Sequence, residues 1–209
     1  MPQEKFNLQR VQSSFELSSA GNDDVFIDPY LEAFKELNKF LSMMGTVFGF
    51  IVNDIKVKVQ ILEKLRKQQD HGDQFETVQK MMDYELNSGL LNRSDYISGC
   101  RTFLRLHRGL NFIRVFLTRL CELETADEST CPICQASYNE TLAEFQPWLI
   151  RKGALMAMYT LPNRDQLLEK ISEDASTASR HLPEMLRAGH QVYDKTQALY
   201  YKYDLLRLP

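Results

Sequence analysis

Apolar residues recur at intervals of three and four along almost the whole chain, and no run of sustained strict alternation interrupts them. That spacing is the period of a helix buried along one side, whereas a half-buried strand needs a period of two. The chain is therefore expected to be all-α, without a β-sheet. Turn and capping residues punctuate it at SSAGNDD (18–24), QQDHGD (68–73), NSGLLNRSDYISG (87–99), ETADESTCP (124–132), LPNRD (161–165) and EDASTAS (173–179), dividing it into about eight helices. In IDPYLEAF the spacing predicts Asp28 as N-cap and Pro29 as first helical residue, and Gly45 is expected to close or kink the helix that begins there. With 209 residues, 44% of them hydrophobic, and neither repeat nor long linker, a single domain over 1–209 is expected.

Several charges fall where this pattern should be greasy. Taking 103–120 as one helix with Phe103 at zero, His107, Asn111, Arg114 and Thr118 cluster between about 20° and 80°, the expected solvent stripe. Phe103, Leu106, Leu110, Ile113, Leu117 and Leu120 fill a core arc from about 260° to 360°. Arg101 and Arg105 fall at about 160° and 200°, in line with Phe112 and Phe116, so the helix has a second apolar face headed by two guanidiniums. In FGFIVNDIKVKVQILEKL the polar stripe is Gly49, Asn53, Lys56, Gln60, Glu63 and Lys64. Asp54 and Lys58, four apart, lie instead among Val47, Phe50, Ile51, Ile61 and Leu65.

Two accounts of these charges stand. Asp54 and Lys58 form an ordinary i,i+4 ion pair of roughly 0.3–0.5 kcal/mol while the arginines snorkel from a core edge. Alternatively, Lys58, Arg101 and Arg105, offset by Asp54, leave a surplus of about two positive charges for an external anion, which matches a phosphate monoester at roughly −1.5 to −2. Buried charges cost several kcal/mol unless paired, and the arginine fork suits phosphate oxygens. A phosphate beside an apolar face implies an amphiphile, its tail along Phe40, Phe48, Phe50, Phe112 and Phe116; the same aromatics also suit a plain core.

The totals exclude other classes. A net charge of −3 offers no basic field for nucleic acid. The opening MPQEKFNLQRVQ does not look like a secretory leader, so the cytosol is expected, and the 13-residue FLSMMGTVFGFIV is too short to cross a bilayer. The lone CPIC (Cys131, Cys134) has no second ligand pair for zinc and predicts two surface thiols; the sequons at Asn92 and Asn139 carry little without a secretory route. Neither a GxSxG elbow nor a carboxylate–histidine metal set is present, so no enzyme, cofactor or metal is expected. A helical adaptor remains a rival, though it would not require cations on two apolar faces.

DPYLEAFKELNKFLSMMGTVFGFI, NDIKVKVQILEKLR, GCRTFLRLHRGL, SYNETLAEFQPWLIRKG, TLPNRD and the closing DLLRLP carry a resemblance that runs almost end to end. The chain resembles the glycolipid transfer protein superfamily, on its phosphate-binding branch. The resemblance implies a two-layer helical sandwich that encloses one sphingolipid, here ceramide 1-phosphate, and moves it between membranes as a monomer without chemistry. It also implies that Asp54 binds the sphingoid amide and that Lys58, Arg101 and Arg105 of the RTxLR pattern hold the phosphate. Relatives that carry sugars have a tryptophan where this chain has Arg105, so a glycosphingolipid cargo is the lesser alternative, and a lipid sensor acting through a protein partner is another.

One residue departs from the family pattern. Where the family has a histidine for the ceramide carbonyl, this chain has Gln146 in FQPW, whose amide donates the same bond without titrating. Trp148, Leu149 and Ile150 follow Pro147, which is expected to weaken or break the helix there. The resemblance implies that this edge touches a membrane, with Arg151 and Lys152 drawn to anionic headgroups; from the residues alone, a tryptophan half-buried under a kink is equally open.

Overall fold

Backbone donors at the starts of several helices find partners through three different devices. Asn7, Thr77, Ser98, Asn163 and Asp174 cap with their side chains, Asn163 in a reciprocal box with Gln166. The second helix uses its neighbours instead: Ile27 N donates to Glu76 O at 3.0 Å while Val78 N donates to Val25 O at 2.9 Å. That exchange moves the helix start to Ile27, with Phe26 as cap, so Asp28 and Pro29 lie inside the first turn rather than at its edge. Asp28 instead accepts from Arg66 Nε at 3.2 Å. The third device, a buried carboxylate, serves the helix that carries the arginines.

The computed structural model describes residues 6–45, 48–172 and 174–209; Val47, placed above on an apolar face, lies outside them. Among the described residues the α-helices are α1 Leu8–Ser18, α2 Ile27–Ser42, α3 Gly49–Arg66, α4 Val78–Asn87, α5 Gly99–Glu122, α6 Cys131–Thr141, α7 Trp148–Met158, α8 Arg164–Ile171 and α9 Ala175–Lys202. This is one more than the punctuation suggested, since α6 and α7 are separated by a short 3₁₀ turn at Ala143–Phe145. Isolated bridges, Phe26 to Thr77 and Ser129 to Asn163, are the extended pairings recorded among these residues. Gly45, at φ 109°, follows α2 in a conformation that suits glycine, as expected of a stop.

Neighbours run α3, α2, α1, α9, and α5 closes the ring by packing on both α3 and α9, with α6 against its remaining side. Tyr30 sits where three of these helices meet, its ring 4.4 Å from Phe103, 5.0 Å from Phe34 and 6.1 Å from Phe15, all of them buried. Aromatic contacts of this kind add about 0.5–1.5 kcal/mol beyond burial.

Because α9 packs on α5, the expected solvent stripe is largely covered: His107 is buried and Asn111, Arg114 and Thr118 are half-buried. His107 is 2% exposed, its Nε2 2.8 Å from Gln197 Oε1 and its ring stacked 4.4 Å from Tyr193, while Arg114 lies 4.2 Å above the same tyrosine. At His107 and Arg114 the stripe is polar because α9 supplies Gln197 and Tyr193 as partners. Burial pushes His107 down to about 4, in spite of the Gln197 bond. The second CPIC cysteine also differs from expectation: Cys134 is buried, and burial pushes its thiol up to about 12.

Candidate functional site

The arginine-bearing end of α5 is fixed from α4. Glu85, fully buried, accepts from Ser98 Oγ at 2.5 Å, Gly99 N at 2.5 Å, Cys100 N at 3.2 Å and Tyr96 Oη at 2.9 Å, so a carboxylate occupies the positive end of the helix. A Cβ on Gly99 would come within 2.8 Å of Met81 Sδ and 3.2 Å of Glu85 Oε1, so glycine is needed for that approach. On the other side, Tyr200 Oη donates to Cys100 O at 2.7 Å.

Between α3, α5 and the α6–α7 segment lies a cavity of about 660 Å³. That is within the ~300–1,000 Å³ of small-molecule sites and far beyond ordinary packing voids. Phe48, Ile51, Ile55, Phe112, Ile113 and Leu142 give it apolar walls. Asp54 and Lys58 of α3 and Arg105 and Arg108 of α5 form its charged part, and Gln146 reaches it from the turn before α7. Charge therefore sits beside hydrocarbon, as the helical wheels required.

The four charged groups differ in their state. Lys58 Nζ is paired with Asp54 Oδ1 one turn back, the lysine side chain 12% and the aspartate 61% exposed. Arg105 is exposed and has no hydrogen-bond or ion-pair partner among the described residues. Arg108 is half-buried, and burial, then the neighbouring Arg105 charge, pulls its guanidinium below its ordinary value. Three cations and one carboxylate leave a surplus of two positive charges in the cavity wall.

Arg101 stands one turn before Arg105 and outside that wall, with Nη2 on Leu91 O at 2.7 Å and Nε buried without a partner. Arg108 was not singled out from the sequence, although the same wheel puts it at about 140°, next to Arg101. The signal was there in the three- and four-residue spacing of 101, 105 and 108.

Of the five aromatics expected along a tail, Phe48, Phe50 and Phe112 line the cavity. Phe40 does not: it is buried against Phe6 with ring centroids 5.4 Å apart. Nor does Phe116, which is buried with its ring 6.0 Å from that of Phe112 and parallel to it within 4°. Both belong to the packing behind the wall, a distinction that aromatic spacing cannot make.

Pro147 is the cap of α7 rather than a kink within it. Trp148 is 63% and Leu149 72% exposed, and Ile150 is both exposed and part of the cavity wall. Met156 and Tyr159 extend the exposed apolar edge, and Lys152 Nζ lies 5.9 Å from the Trp148 ring. The tryptophan is thus not tucked under a kink. No helix among the described residues is long and apolar enough to cross a membrane.

The sequence model described as Glycolipid transfer protein (GLTP) matches residues 25–173. The zebrafish (Danio rerio) ceramide-1-phosphate transfer protein is 39% identical over 209 residues, covering 98% of this chain and 98% of its own. The human (Homo sapiens) ceramide-1-phosphate transfer protein is 37% identical over 211 residues, with 98% of this chain and 97% of that protein covered. A crystal structure of the human protein in complex with 2:0 ceramide-1-phosphate superposes with a TM-score of 0.89 at 36% identity, covering 99% of this chain and 100% of that one. With its helices arranged as in that fold and its sequence matched across most of its length, the chain belongs to the glycolipid transfer protein family.

Proposed function

We propose that this chain carries ceramide 1-phosphate between membranes, as a monomer in the cytosol that docks transiently on bilayer surfaces. The observation that carries the reading is the pair Arg105 and Arg108, set beside Lys58 in the wall of an apolar cavity. A phosphate monoester, at roughly −1.5 to −2, offsets the surplus, and arginine forks bind its oxygens in pairs. Arg101, one turn before Arg105 and outside the wall, adds its positive charge to the same end of α5. Asp54 uses its outer oxygen for the amide N–H of the sphingoid base, and the Gln146 amide donates to the acyl carbonyl.

The acyl chain and sphingoid tail occupy the space between Phe48, Phe50, Phe112 and their neighbours, where hydrocarbon gains about 0.8 kcal/mol per buried CH₂. Carriage needs no covalent step: the lipid must only exchange one apolar environment for another. Trp148, Leu149 and Ile150 supply the contact, since an indole and flanking aliphatics partition into the interface and Arg151 and Lys152 favour anionic lipid. The zebrafish and human relatives, named for ceramide 1-phosphate, support this cargo. Mass spectrometry of lipid co-purifying with the chain from cells is the test. A phosphorylated sphingolipid as the dominant species is expected; neutral glycosphingolipids in its place would overturn the reading.

A further inference from the structure

After α9 the chain turns back across Arg108. Tyr203 ends the helix, Asp204 adopts φ 55°, and Leu205 N donates to Tyr200 O at 2.9 Å while its side chain fills the core. The carbonyls of Leu206 and Leu208 then both accept from Arg108 Nη2, at 2.9 and 3.1 Å. Pro209 forms part of the cavity wall. The Arg108 guanidinium also lies 3.9 Å from the Phe145 ring centroid, so one side chain of α5 clamps both the 206–208 tail and the turn that carries Gln146.

We propose that residues 206–209, held by Arg108, are a fixed wall that sets the largest headgroup the site admits, passing a phosphate monoester and rejecting a phosphate that carries a further group. This rests on the phosphosphingolipid reading and assigns the source of its selectivity. Cations alone discriminate incompletely here, because the phosphodiester of ceramide phosphocholine, though balanced overall by its quaternary ammonium, still carries a local negative charge that the same arginines attract. Rejection requires something that does not yield. The tail is suited to that, since it is anchored at Leu205 in the core and again at the carbonyls of Leu206 and Leu208. Arg108 serves both purposes at once: Nη2 is engaged by the tail, and its Nε and Nη1 have no protein partner among the described residues, which leaves them for phosphate oxygens.

The test is vesicle-to-vesicle transfer of ceramide 1-phosphate and of ceramide phosphocholine with the same acyl chain. It compares the intact chain, a deletion of residues 206–209 that keeps the Leu205 plug, and Arg108→Lys, which keeps the charge but loses the fork. The phosphocholine-to-phosphate transfer ratio is expected to rise roughly tenfold in the deletion and severalfold in Arg108→Lys, with helical circular dichroism unchanged. A folded deletion chain with the parental ratio would overturn the proposal. Should the deletion not fold, Arg108→Lys decides alone, read as the absolute rate of phosphocholine transfer: a rate above the parental one supports the wall, and a parental or lower rate overturns it. An intact chain that transfers no ceramide 1-phosphate would overturn the carriage reading and the wall with it, whereas normal transfer with unmoved ratios overturns the wall only.

Discussion

Lys58 reaches back one turn of α3 to Asp54, yet the lysine side chain is nearly covered and the aspartate carboxylate largely open. The pair is therefore lopsided: Oδ1 neutralises the ammonium, while the carboxylate as a whole stays largely open in the cavity wall. An exposed i,i+4 pair is worth roughly 0.3–0.5 kcal/mol to the fold. Its stability value is small, which makes the site open to clean mutation.

We predict that Asp54→Val loses transfer of every ceramide-based lipid, whatever the headgroup, while the unfolding midpoint moves by no more than about 2 °C. Transfer assays with ceramide 1-phosphate and glucosylceramide, alongside a melting curve, check this. Uptake unchanged in the variant would mean that the amide is anchored elsewhere.

His107 gives a pH dependence of known sign. Its folded value, about 4, lies below the ordinary 6.5, so the unfolded chain binds the extra proton between those limits. Stability from this residue is complete above about pH 6.5 and is lost as pH falls towards 4, a span worth on the order of 3 kcal/mol. Denaturant unfolding at stepped pH should show that slope, and His107→Gln should flatten it. A variant that keeps the parental slope would refute the assignment.

Glu85 has no counter-cation among its four hydrogen-bond donors, so removing it strands them in the interior. Glu85→Ala is predicted to cost about 3 kcal/mol or more, lowering the melting temperature by roughly 6–12 °C. Calorimetry measures this directly; a shift under about 2 °C would show that water replaces the carboxylate without loss.

Trp148 is exposed and makes little contact with the fold, so Trp148→Ala should leave stability within about 0.5 kcal/mol. Sedimentation with anionic vesicles should nevertheless show several-fold weaker binding, and transfer should slow in step. Parental vesicle binding would remove α7 from the docking surface.

The sequence carried the helical architecture because period and punctuation are local properties, and it carried the cations because guanidiniums at 101 and 105 share a side with Phe112. It could not show what covers a given stripe. His107 was expected in solvent since its neighbours on the wheel are polar, but polarity there answers Gln197 and Tyr193 of a helix some 90 residues away. Phe40 and Phe116 shared the spacing of wall residues and turned out to lie behind the wall, a matter of which neighbour is nearest. The start of α2 moved for a similar reason: the amides of Phe26 and Ile27 donate to Ser18 O and Glu76 O, carbonyls of distant segments that local spacing does not reveal.

The central claim is that Arg105, exposed and unpaired beside an apolar cavity, holds the phosphate of a carried sphingolipid. Vesicle-to-vesicle transfer of ceramide 1-phosphate by the intact chain and by Arg105→Leu tests it most directly. Loss of a charge-assisted contact of about 1.5–3 kcal/mol predicts a fall of roughly 10- to 100-fold with the melting temperature preserved. A folded Arg105→Leu chain transferring at the parental rate would contradict the account.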